Sequence, residues 1–173
     1  MAFFKTFTVY QFFSPQNTTE NWQVFTDKIH NVSFSTPSNA KTNVIGSDPK
    51  SATIMSVINS PKKSTAEQNT NLIFYVTPRA DVNIKTYSQV AQETREGNVA
   101  NCPKESTITP LTKTKIGNYD GVGFQIKNCN GNFDEYFLAN EKTVFELSIF
   151  SKTPFAANTE RLREQVISSF SFN

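Results

Sequence analysis

The chain of 173 residues is long enough for one substantial core and short for two, so residues 1–173 are expected to form a single domain. Apolar residues make up 37% and charged residues 18%, and 54 Ser, Thr and Asn fill much of the difference. Sixteen Phe and a net charge of only +2 exclude a disordered chain, no apolar run approaches the ~18 residues of a helical membrane span, and the near-balanced charge gives no case for nucleic acid.

The amino end, Met1 to Gln16, lacks the basic, apolar and small-residue regions of a signal peptide. If Met1-Ala2 stands in place of a native leader, a lipid anchor in the precursor is compatible with this start. From Phe4 to Phe13 the residues are aromatic, β-branched or Thr on both faces, the composition of a strand that needs cover or a pairing neighbour. Residues 1–20 are therefore read as an amino-terminal extension or an added strand.

Asn21 to Thr26 and Asn31 to Thr36 flank Asp27-Lys28 and predict a hairpin ending before Pro37, with a helix as the rival because Trp22, Phe25 and Ile29 fall at i, i+3 and i+7. Polar, turn-rich stretches at 38–49 and 59–70 bracket a strand at Ala52 to Ile58. The apolar run Asn71 to Thr77 predicts a central strand buried on both faces. Thr86 to Glu96 reads as an amphipathic helix with Tyr87, Val90, Ala91 and Thr94 inward, stopped by Gly97 in a left-handed cap. Four strands follow, at 107–116, 121–129, 132–140 and 143–152, and the Asn130-Gly131 turn marks a hairpin within this antiparallel meander. A second amphipathic helix covers Asn158 to Phe170, with Asn158 as cap and Leu162, Val166 and Phe170 along one stripe. The fold class is α+β, an antiparallel β-sheet flanked by helices.

Cys102 and Cys129 both sit among Asn, Pro, Gly and Lys, in turn-like surface contexts. A disulfide is the expected state, since two ligands do not make a zinc site and buried free thiols prefer apolar neighbours. The bond would place the chain in an oxidising, extracytoplasmic compartment: periplasmic, secreted or on the cell surface.

Sequence motifs offer little chemistry. His30, the one histidine, alternates with apolar residues as a solvent-facing strand residue would, and the nucleophile-elbow, phosphate-loop and dinucleotide motifs are absent. Asp134 and Glu135 point to opposite faces of one strand and read as rim charges, while Glu160, Arg161, Arg163 and Glu164 read as a solvated helix face. No catalytic residue, metal site or cofactor is expected.

Several short segments taken together carry a resemblance. They are Trp22 with Phe34-Ser35-x-Pro37, the turn Gly117-x-Tyr119-x-Gly121 leading into Phe124-Gln125-Ile126, Lys142 to Ser148, and a closing Ile167-Ser168-Ser169-Phe170-Ser171-Phe172. This pattern resembles the PsbP family and its bacterial lipoprotein relatives. The resemblance implies an antiparallel sheet sandwiched between helices, used as a noncatalytic accessory module: an extrinsic photosystem II subunit in plants and cyanobacteria, secreted lipoproteins of unassigned role elsewhere, and a Ran-binding factor. The expected disulfide and the aromatic amino-terminal segment set this chain apart from the photosynthetic members. The expected function is a noncatalytic, secreted or lipid-anchored accessory or binding domain docking on a protein or cell-envelope partner. The alternative is a structural subunit of a pilus or surface assembly that uses the aromatic segment. A hydrolase built on Asp or Glu is the third and weakest class.

Overall fold

The computed structural model describes residues 21–48, 51–59, 71–79, 86–141, 143–155 and 157–173. The aromatic segment expected as a strand at Phe4 to Phe13 lies outside them.

β1 (Trp22–Asp27) and β2 (Val32–Pro37) form the first hairpin, in antiparallel register from Trp22 opposite Pro37 to Asp27 opposite Val32. Asn31 closes the turn at φ 53, a left-handed conformation that Asn tolerates better than most residues. Hairpin therefore prevails over helix, and Ile29, the third member of the helical stripe, lies 61% exposed in the turn. A two-residue strand, β11 (Ser171–Phe172), joins the other edge of β2 to make a three-stranded sheet.

The larger sheet is built from β3 (Lys41–Ile45), β4 (Thr53–Asn59), β5 (Asn71–Arg79), β6 (Thr107–Ile108), β7 (Thr112–Ile116), β8 (Tyr119–Lys127), β9 (Asn132–Ala139) and β10 (Val144–Ser151). Its order is β3-β4-β5-β10-β9-β8-β6, with β7 also pairing β8, and every pairing is antiparallel. Among the described residues, two helices complete an α+β fold dominated by its sheets: α1 (Tyr87–Asn101) and α2 (Ala157–Ser168).

Alternation along the strands gives the large sheet two unlike faces. One presents Ile54, Phe74, Val76, Leu138, Phe145, Leu147 and Ile149 to Phe34 of β2 and to Leu162, Val166 and Phe170 of the carboxyl-terminal segment. The other presents Val122, Phe124, Ile126, Phe137 and Val144 to Val90 and Ala91 of α1. Because α1 packs mainly on β8 and β9, no helix among the described residues lies over the same face of β4 and β5. That corrects the expectation for the apolar run in β5: Leu72, Phe74 and Val76 are buried, but Ile73, Tyr75 and Thr77 are only half-buried.

Other boundaries also move. β3 falls in a stretch read as turn-rich, and the strand expected over 107–116 splits at Pro110, which has no N–H to give to a ladder. Thr86 caps α1 through a capping box, its hydroxyl accepting from the Gln89 amide at 3.3 Å while its own amide donates to the Gln89 side chain at 2.9 Å. The helix then runs through Gly97 to Asn101 and ends on an extended Cys102, so Gly97 is an interior residue with no left-handed cap. α2 begins at Ala157, which places Asn158 inside the helix and not at its cap, and it ends two residues before Phe170.

Gly117 shows why the β7–β8 turn needs glycine. It adopts φ +56, and a Cβ there would lie 2.0 Å from the Phe170 carbonyl oxygen, while its amide donates to Ile167 O at 3.0 Å. The turn is thus seated against the end of α2.

Candidate functional site

The residues singled out from the sequence do not gather in one place. Cys102, at the end of α1, and Cys129, in the β8–β9 turn, are joined in a disulfide with their Cα atoms 5.3 Å apart. His30 is 9% exposed and sits in the β1–β2 turn, which corrects its reading as a solvent-facing strand residue. Its Nδ1 meets Asp27 Oδ2, and Asp27 Oδ1 accepts from the Ile29 amide at 2.9 Å. The pair closes its own hairpin.

Asp134 and Glu135 do point to opposite faces of β9, but both are buried, at 1% and 6% exposure, so neither is a rim charge. Asp134 faces α2. Its Oδ2 pairs with Nη2 of Arg163, a residue read from the sequence as solvated and found 9% exposed. The Arg163 guanidinium carbon also lies 4.0 Å from the centre of the Phe155 ring, a cation–π arrangement. Burial pulls the Arg163 pKa down from its ordinary value, with the nearby Glu164 charge opposing that shift. Arg163 Nε and Asp134 Oδ1 are buried without a hydrogen-bond partner among the described residues.

A cavity of about 250 Å³ opens beside this pair, where the Lys127 end of β8, Asn132 at the start of β9, the β10–α2 connection and the first turns of α2 meet. Arg163 lines it, while the more deeply buried Asp134 does not. A second cavity of about 350 Å³ is lined by Thr109, Thr112, Thr114, Gly123 and Tyr136, and the two share Gln125 as a wall.

Glu135 faces the α1 side and accepts from the Ser148 hydroxyl at 2.7 Å. Burial, reinforced by the negative charge of Glu146, pushes its carboxyl up to about 8, against the partial relief of the Ser148 hydrogen bond. Glu146 itself is held by Arg79 Nη1 at 2.7 Å across the β5–β10 pair.

The remaining surface feature is the β3 edge. Among the described residues no strand pairs with its outer side, and Val44 and Ile45 are 50% and 48% exposed. Unpaired backbone groups along an apolar edge can accept an additional strand.

No family model matches the chain, and no curated protein matches it. Among solved structures, it is similar to the solution structure of cyanobacterial PsbP (CyanoP) from Synechocystis sp. PCC 6803, with a TM-score of 0.56 and 13% identity over 89% of this chain and 94% of that one. At that identity the likeness is one of fold. The chain has a PsbP-like fold.

Proposed function

We propose that the chain is a noncatalytic binding domain of an extracytoplasmic compartment, docking on a protein partner that adds an extended segment to the β3 edge. The observation that carries this reading is the β3 edge, which no described strand pairs on its outer side and which exposes Val44 on one face and Ile45 on the other. Strand addition draws affinity from main-chain hydrogen bonds and specificity from alternate side chains, and β3 offers both. The placement of the paired ionisable groups supports it further: His30–Asp27 closes a hairpin, the half-buried Arg79–Glu146 pair crosses two strands, and Asp134–Arg163 ties α2 to β9. Each is committed to holding elements together. The Cys102–Cys129 bond supports an oxidising compartment, and the PsbP-like fold supports an accessory role over an enzymatic one.

Photocrosslinking in the native host tests the proposal. A photoreactive residue at Val44 should give one discrete protein adduct, and the same group at Val99, 56% exposed on α1, should not. Changing Val44 and Ile45 to Lys should abolish the adduct formed from a neighbouring β3 position without moving the urea midpoint. Equal adducts from both positions, or none from β3, would overturn docking at this edge.

A further inference from the structure

We infer that residues 4–13 fold back within the same molecule onto the α1 side of the large sheet, where they cover an apolar row that crosses four strands. This face is separate from the outer side of β3, and neither reading depends on the other.

The row follows from strand register. Val57 of β4 is paired with Ile73 of β5, Ile73 with Phe150 of β10, and Phe150 with Phe133 of β9, which puts four apolar side chains in line on one face. The Phe133 and Phe150 rings meet at 4.8 Å between centroids. Met55 and Tyr75 stand opposite each other in the neighbouring row. All six are half-buried, whereas Ile54, Phe74 and Ile149, on the other face of the same strands, are buried. α1 covers the Phe133 end of the row, and no helix among the described residues covers the rest. A contiguous apolar surface of this kind marks a site of contact.

The chain supplies a partner for it. Residues 4–13 hold Phe4, Phe7, Val9, Tyr10, Phe12 and Phe13 with Lys5 as their only charge, and they need cover as much as the face does. Of the other longer stretches outside the described residues, 60–70 offers only Pro61 and Ala66, and 80–85 only Ala80, Val82 and Ile84. The point of departure also fits. Asn21 O accepts from the Ser38 amide at 2.7 Å, and Lys41, three residues further on, is paired with Val57, the first member of the row. Residues 14–20 span up to about 25 Å when extended, and the four strand spacings from β3 to β9 amount to about 19 Å. Residues 4–13 can therefore lie across the whole row. A tether this short gives the segment a high effective concentration over its own sheet, which favours it over the same segment of a second copy.

Crosslinking within the purified, intact, disulfide-bonded chain tests the cover. A photoreactive residue in place of Phe7, irradiated in dilute solution, should give adducts inside one chain, on the peptides that carry Met55, Val57, Ile73 or Phe150. Changing Phe4, Phe12 and Phe13 together to Ser should lower that yield at least about tenfold, the loss expected when three aromatic contacts are removed. In nuclear magnetic resonance spectra of the same triple variant without the photoreactive group, the methyl signals of Met55, Val57 and Ile73 should move, while those of Leu162 and Val166 on the other face stay in place. Adducts between two chains, adducts confined to other surfaces, or no adduct would overturn the cover. So would Met55, Val57 and Ile73 signals that the triple variant leaves unmoved.

Discussion

Neighbouring carboxyl groups on one strand meet opposite environments on the two faces of the large sheet. Asp134 faces α2 and is met by a guanidinium; Glu135 faces the α1 side and is met by a hydroxyl, with another carboxylate, Glu146, nearby. Both are buried. A buried carboxyl can remain ionised beside a cation or take up a proton when none is supplied, and this protein uses the first solution on one face and the second on the other. The difference teaches that the α2 face carries a polar cross-link inside its apolar layer, whereas the α1 face carries a proton that depends on pH.

The sharpest way to break the comparison is to remove the cation. Arg163→Ala should lower stability by about 3–5 kcal/mol, read from the urea midpoint, because it leaves Asp134 buried and unpaired. Replacing both partners together, Asp134→Leu with Arg163→Met, should recover most of that loss. If the double variant is no better than the single one, the ion pair is not what holds α2 to β9. Phe170→Ala tests the apolar part of the same face. Phe170 is 1% exposed and its ring meets Phe172 at 5.4 Å between centroids, so a loss of about 3–5 kcal/mol is expected.

On the opposite side, α1 is secured covalently as well as by packing. Replacing Cys102 and Cys129 by Ala opens a loop of sequence separation 27 and should cost about 3.6 kcal/mol on the chain-entropy account, measured by denaturation under non-reducing conditions.

Glu135 supplies the smallest and most specific effect. Its carboxyl titrates at about 8 in the folded protein and at its ordinary value of 4.5 when unfolded, so between those values the folded state keeps a proton that the unfolded state has released. Stability contributed by this group is therefore complete below the unfolded value and is lost as pH rises through the folded one, by up to about 1.4 kcal/mol per pH unit within the window. Glu135→Gln should remove that part of the slope and leave the variant more stable than the parent by about 1–2 kcal/mol near pH 8. Urea midpoints at about pH 5 and about pH 8 decide it, since parallel slopes would mean that Glu135 does not titrate in this range.

Much of the fold could be read from the sequence because periodicity of two and turn chemistry are local properties. Asn130-Gly131 marked the β8–β9 hairpin, and alternation correctly sent Asp134 and Glu135 to opposite faces. Alternation reports sidedness, however, and says nothing about depth. Whether a face is covered depends on helices distant in sequence, so from the strand alone both acids read as rim charges. Arg163 was misread for a related reason: α2 touches β2 and β7 as well as lying near β9, so its buried stripe is wide enough to take Thr159 and Arg163 alongside Leu162, Val166 and Ile167. The i, i+4 spacing of Thr159, Arg163 and Ile167 was the available signal, outweighed by charge. β3 escaped notice because its residues are mostly exposed and its strand form is set by pairing with β4, not by its own composition. The extension of α1 past Gly97 has the same origin, since helix continuation needs only a glycine with nothing crowding it and a cap further on.

The disulfide has a topological consequence. By joining Cys102 to Cys129 it makes a closed ring of the intervening chain, a ring that holds β6, β7 and β8 in full. A protease that cut once at the exposed Asn118, in the turn between β7 and β8, would produce two polypeptides but still a single molecule. The severed ends would remain at high local concentration, and the meander could close again around the nick without a second-order encounter. Over this stretch the peptide backbone and the molecule are not the same thread, and a clip that would dismember an unbridged sheet would pass unseen until a reductant was added.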